Sequence, residues 1–186
     1  MINWQRVIIL SGPSGVGKDT VLERWHSVNP QIQRVVAWTS RAPRSGEVDS
    51  KDYRFVSTSM FEATAMAGGF LEHKLVHGNW YGTPLMELRR LTRQGKLPVL
   101  KIDVQGALDV MEAHPEVLSI FLLPPNNYEL ERRLRSRATD SDAQIERRLL
   151  AAKREMELAP RYKHQVVNED VETAVAELER LVAGLA

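Results

Sequence analysis

Three glycines and a lysine near the amino end have the spacing to bind phosphate. The run is Ser11-Gly-Pro-Ser-Gly-Val-Gly-Lys18, followed by Asp19 and Thr20. It fits Gly-x-x-x-x-Gly-Lys, the pattern of the phosphate-binding P-loop, and a short aliphatic run, Val7 to Leu10, precedes it. In such a loop the backbone N–H groups turn inward and cradle an anion. The helix that follows directs its positive end at the same point. Lys18 then reaches the β- and γ-phosphates of a nucleotide. The candidate nucleotide-binding residues are Gly12, Pro13, Ser14, Gly15, Val16, Gly17, Lys18, Asp19 and Thr20. The usual pattern places Ser or Thr directly after the lysine, where the hydroxyl touches Mg²⁺. Here Asp19 holds that place. It is either a ligand for Mg²⁺ or its water, or a carboxylate favoured in the first turn of a helix.

Other candidates lie further along. Between Thr39 and Phe55 stand Arg41, Arg44, Lys51, Tyr53 and Arg54. Guanidinium forks match phosphate oxygens and Tyr53 adds a hydroxyl donor, so this loop reads as a phosphate clamp. It also reads as a solvated charged loop. Glu72, taken alone, is a strand carboxylate facing water. His73 and His77 are four apart, a spacing that pairs zinc ligands on a helix but not on a strand. Asp103 ends an apolar run and is either a Mg²⁺-water ligand or a helix cap. Arg132, Arg133, Arg135, Arg137, Arg147 and Arg148 concentrate in one stretch. Some should pair with Glu129, Glu131 and Glu146 along helix faces, and a subset can swing onto phosphates.

The elements that position these residues alternate between strand and helix. Strands are expected at 7–10, 34–38, 70–77, 80–83, 97–104, 117–123 and 165–168. Helices are expected at 20–28, 59–67, 84–94 (with Pro84 in the first turn), 104–114 and 169–185. The stretch from Tyr128 to Leu150 reads as two helices broken at Thr139-Asp140-Ser141. Pro43 and Gly46 keep 39–55 out of a helix. The sum is an α/β chain: a parallel sheet opened by a P-loop and flanked by helices, with a small β unit inserted.

At 186 residues and 43% hydrophobic content the chain is expected to form one domain with a real core. A formal net charge of +1 argues against a nucleic-acid partner held by a global basic field. There is no cysteine, which excludes disulfides and thiolate chemistry. No apolar run is long enough to span a membrane, and the amino end does not read as a signal peptide, so a cytoplasmic location is expected.

Taken together these pieces resemble the guanylate kinases along nearly the whole chain. The matching runs are Ser11–Lys18, Thr39–Val56, Phe70-Leu-Glu72, Gly78-Asn-Trp-Tyr-Gly-Thr83, Ile102-Asp-Val-Gln-Gly-Ala107, Ser136–Asp140, Arg147-Arg-Leu149 and Val166-Val-Asn168. The resemblance implies transfer of phosphate from ATP, with Mg²⁺, to GMP, and leaves dGMP open as a further acceptor. It implies a core (1–36, 87–124 and 161–186), a GMP-binding lobe (37–86) and a helical lid (125–160), in a monomer or homodimer. It assigns Arg41, Arg44, Tyr53 and Tyr81 to the GMP phosphate, and Glu72 and Thr83 to guanine. Lys18, Arg137 and Arg148 become catalytic, and Asn168 lies near the adenine. Three positions depart from the family pattern. Asp19 follows Lys18, Ala37 replaces a serine, and Lys101 stands where many relatives carry an aspartate. Two other readings share part of the pattern: a kinase of ribose 1,5-bisphosphate, and an inactive protein-binding module. Glu72, Tyr53 and Tyr81 speak against the first, and Lys18 against the second.

Overall fold

The structure, a computed structural model, describes residues 2–44, 46–76, 78–136 and 141–185. Its central sheet is parallel throughout. Five strands lie in the order β2 (Ile32–Arg34), β7 (Leu97–Lys101), β1 (Ile8–Ser11), β8 (Leu118–Leu123) and β9 (His164–Val167). The apolar stretch at β1 is central because both its faces are covered. Alternate residues serve opposite layers, as the two-residue period of a strand requires. Ile8 and Leu10 pack with Trp25 of α1 (Lys18–Val28) and with Val175 and Leu178 of α7 (Val171–Val182). Val7 and Ile9 pack on the other side with Leu88 and Leu91 of α3 (Leu85–Arg93) and Val110 of α4 (Val104–Ala113). Full burial of side chains such as Ile8, Ile9 and Leu10 contributes roughly 2 kcal/mol each.

A second, mixed sheet is inserted between β2 and α3. Its order is β4 (Arg54–Phe55), β3 (Trp38–Thr39), β6 (Asn79–Pro84) and β5 (Phe70–Val76), with β5 and β6 antiparallel. Helix α2 (Thr58–Met66), capped by Ser57, seats Phe61 between Phe70 and Trp80, with ring centroids 4.4 and 5.8 Å away. His73 joins this aromatic cluster, 5.7 Å from Trp80; His77 lies outside the described residues. Among the described residues no group of three or more His, Asp or Glu side chains is placed to hold a metal ion. None of the described helices is long and apolar enough to cross a membrane. Near the carboxyl end, α5 (Asn127–Arg135) and α6 (Asp142–Met156) pack through Leu130, Leu134 and Ala152.

Two expected elements are corrected. The single strand at 34–38 divides: Val35 still donates to Val99 in the core sheet at 2.9 Å, and the chain then crosses to the second sheet at Trp38. The apolar run continues through the crossing, which hides the break. Pro84 lies in extended backbone, pairs with Phe70 at the end of β6 and caps α3 rather than sitting inside it.

Candidate active site

Residues 12–17 join β1 to α1. Gly17 caps α1 with φ at 98°, and a Cβ there would sit 2.7 Å from the Asn168 amide nitrogen, so glycine suits both the turn and the packing. Asn168, directly after β9, is buried and donates to the Val16 carbonyl at 2.8 Å. Arg133 of α5 donates to the same carbonyl at 3.2 Å and to that of Asn168 at 3.1 Å. The Asn168 Oδ1 is buried with no hydrogen-bond partner. The Val16 side chain is buried in the core. Lys18 folds back on its own loop and donates to the carbonyls of Gly12 and Pro13 at 2.6 and 3.0 Å. Burial, and then nearby Lys101, bring Lys18 down to about 8.

A cleft of about 290 Å³ opens over this loop. It is lined by Gly12, Ser14, Gly15, Gly17 and Lys18, by Asp19 and Thr20 of α1, and by Tyr53, Lys101, Asp103 and Glu155. Asp103 caps α4, its Oδ1 accepting from the Gly106 N–H at 2.7 Å, and its carboxylate still borders the cleft. Asp19 lies in the first turn of α1, and its Oδ1 accepts from Lys101 and, at 3.3 Å, from Arg34. Burial works to raise Asp19, but Lys101 and Arg34 outweigh it and hold the carboxyl below its usual range. Asp103 and the Thr20 hydroxyl are hard oxygen donors on the cleft, whereas the Asp19 oxygen is already taken by Lys101 and Arg34. The two free donors suit Mg²⁺, which takes one or two carboxylates together with substrate phosphates. From α6, Arg148 donates to the Ser14 hydroxyl at 2.7 Å. Burial pushes the Glu155 carboxyl up, against the pull of nearby Lys18. Arg137 lies outside the described residues.

A second cluster sits on the inserted sheet and its loop. Arg41 is held by Glu47 through two hydrogen bonds of 2.9 Å, and its Nε donates to the Tyr81 hydroxyl at 3.1 Å. Arg41 holds Glu47 below the usual carboxylate range. The Arg44 side chain is exposed, while its N–H donates to Glu47 at 2.7 Å. Tyr53 meets Tyr81 edge to face at 5.8 Å and is shared with the P-loop cleft. Glu72 of β5 accepts from the buried Thr83 hydroxyl of β6 at 2.5 Å. Burial pushes Glu72 up. A Cβ on Gly106 would lie 3.0 Å from the other Glu72 oxygen, so α4 backs the carboxylate.

The family model described as guanylate kinase matches residues 4–184. The chain belongs to the guanylate kinase family. A guanylate kinase from Gloeobacter violaceus is 46% identical over 177 residues, covering 95% of this chain and 86% of that one. A guanylate kinase from Nostoc sp. is 44% identical over 179 residues, covering 96% and 90%. The crystal structure of guanylate kinase from Anaplasma phagocytophilum superposes with a TM-score of 0.77 at 33% identity, covering 96% of this chain and 85% of that chain.

Within this guanylate kinase family member, several site residues escape a reading of the sequence. Glu155 lies seven residues beyond Arg148, two helical turns along one face of α6, and that spacing was its available signal. Arg34 stands at the carboxyl end of β2, the edge of a parallel sheet where ligands gather. Gly106 acts through packing, which leaves no local pattern; Arg133 pairs with Glu129 as its helix spacing suggests, but its bonds to the Val16 and Asn168 carbonyls leave none.

Proposed function

We propose that the chain transfers the γ-phosphoryl group of ATP to GMP, giving ADP and GDP. The observation that carries this is Tyr53, which belongs both to the P-loop cleft and to the cluster around Arg41 and Tyr81. One residue thus joins a donor-phosphate site to an acceptor-phosphate site. Glu72 supplies the base selectivity. Guanine offers two adjacent donors, N1–H and the exocyclic amine, and an ionised carboxylate is an acceptor-only group with two oxygens. Adenine would turn a lone pair at N1 toward it. Thr83 holds the carboxylate, and the missing side chain of Gly106 leaves room for it.

The acceptor is a phosphate oxygen, ionised at neutral pH, so no strong general base is needed. The task is to place two anions together and neutralise the charge between them. On the acceptor side, Arg41 and Arg44 with Tyr53 and Tyr81 hold the GMP phosphate, and Arg41 exchanges Glu47 for it. On the donor side the loop N–H groups, Lys18, Arg148 and Arg137 bind the migrating group. Asp103 and the Thr20 hydroxyl would hold Mg²⁺, whose contribution is to offset charge on the ATP phosphates, while Asp19 is taken up by Lys101 and Arg34. Asn168 supports the adenine side. The core (1–36, 87–124 and 161–186), the GMP lobe (37–86) and the lid (125–160) close around the substrates and exclude water. The protein works in the cytoplasm on small molecules, as a monomer or homodimer.

The test is ADP release from MgATP with GMP, dGMP, AMP, CMP, UMP and ribose 1,5-bisphosphate as acceptors. Rapid turnover with GMP and little with AMP or the sugar is expected. Turnover with the sugar bisphosphate alone, or GMP binding without turnover, would overturn the proposal.

A further inference from the structure

Lys101 is the last residue of β7, and its register partner Leu10 stands one residue before the end of β1. Its side chain is therefore delivered to the mouth of the P-loop, and only 10% of it is exposed. The side chain ends on the Asp19 carboxylate, which is 65% exposed and occupies the position directly after Lys18. Arg34 reaches the same Asp19 oxygen at 3.3 Å, but its shorter bond, 2.6 Å, goes to the Asp52 carbonyl in the acceptor loop. Lys101 is thus the principal partner of Asp19.

This arrangement has an electrostatic consequence. A phosphate nest concentrates donors on an anion, and a free carboxylate beside it would repel that anion. Asp19, Asp103 and Glu155 all border the cleft, against Lys18 and Lys101. Mg²⁺ can offset a carboxylate that faces the phosphates, but the Asp19 oxygen described above is turned onto Lys101. We propose that Lys101 is a positioning residue for phosphoryl transfer: it pins and neutralises the Asp19 carboxylate, so that an acid next to Lys18 does not repel the nucleotide phosphates. The pair acts as one unit, and the lysine is needed because the aspartate is there. This deepens the phosphate-site assignment and rests on the proposed reaction with ATP.

The test is a double-mutant cycle on the full chain: wild type, Lys101→Met, Asp19→Ser and the double variant. For each, dissociation of a fluorescent ATP analogue and turnover with GMP are measured. Lys101→Met should weaken the analogue and raise KM for MgATP by about tenfold, with a smaller loss in kcat. Removing Asp19 as well should recover most of that loss, and Lys101→Arg should keep the pair and lose little. A double variant as impaired as Lys101→Met would overturn the proposal, because the lysine would then act on the phosphates itself. An unimpaired Lys101→Met would overturn it too. Melting is followed throughout, and Lys101→Gln replaces Lys101→Met if the latter does not unfold cooperatively. Wild-type turnover with GMP reports separately on the reaction, and analogue binding reports on the phosphate site even if GMP proves not to be the acceptor.

Discussion

In the proposed reaction Glu72 carries a conflict between binding and stability. Guanine recognition needs the ionised carboxylate, while burial favours the protonated one and raises its pKa. The raised value fixes the sign of the pH dependence. The stabilising contribution is fully present below the ordinary carboxyl pKa, about 4.3, and is lost as pH rises through the folded-state value. Glu72→Gln has no charge to bury, so it should gain melting temperature relative to wild type between pH 4 and pH 8, to be followed by thermal unfolding. In the same variant kcat/KM for GMP should fall about 10²-fold and the preference over AMP should collapse, because the glutamine amide N–H₂, itself a donor, faces guanine donors. Unchanged preference would remove Glu72 from base recognition. Gly106 offers a finer test. Alanine suits a helix better than glycine, yet its Cβ would press on the Glu72 oxygen at 3.0 Å. Gly106→Ala should therefore keep or raise the melting temperature while raising KM for GMP by about tenfold. A lowered melting temperature with unchanged KM would contradict that placement.

At the scale of elements, the P-loop is held from outside itself. Asn168 after β9 and Arg133 on α5 both bond to the Val16 carbonyl. Asn168→Ala leaves that buried carbonyl short of a donor and should cost about 1–3 kcal/mol in chemical denaturation, together with weaker ATP binding. The α6 contribution differs. Arg148 reaches Ser14 from an exposed helix, so Arg148→Ala should leave stability nearly unchanged and lower kcat about 10²- to 10³-fold, more than it weakens GMP. Equal losses in kcat and GMP binding would count against a role on the migrating group. These elements were unevenly legible in the sequence. The loop, α1 and the hairpin of β5 and β6 follow from glycine spacing and alternating apolar residues, which are local signals. The division at Val35–Trp38 was not legible, because one apolar run serves two sheets. Asp103 illustrates the middle case: its position predicted either a helix cap or a Mg²⁺-water ligand, and the structure shows the cap with the residue also lining the cleft. The meeting of Asp19 with Lys101 joins positions 82 apart, and only the parallel register of β1 and β7 brings them together.

For the molecule as a whole, the question is whether the two proposed phosphate sites act independently. Tyr53 borders the P-loop cleft and meets Tyr81 of the proposed acceptor cluster edge to face. Arg34 bonds to Asp19 on α1 and to the Asp52 carbonyl in the acceptor loop. Ordering either site therefore orders part of the other. The second ligand then meets a loop whose conformational entropy is already reduced. GMP should bind about tenfold more tightly in the presence of a non-transferable ATP analogue than in its absence, measured by calorimetry. Linkage demands that the analogue gain the same factor from GMP. Equal GMP affinities with and without the analogue would mean that Tyr53 and Arg34 touch both sites without coupling them. The lobes would then close on each substrate separately, and suppression of ATP hydrolysis would have to come from the lid alone. Tightening that disappears in Arg34→Met, with GMP binding on its own preserved, would instead place the coupling in the bond from Arg34 to the acceptor loop.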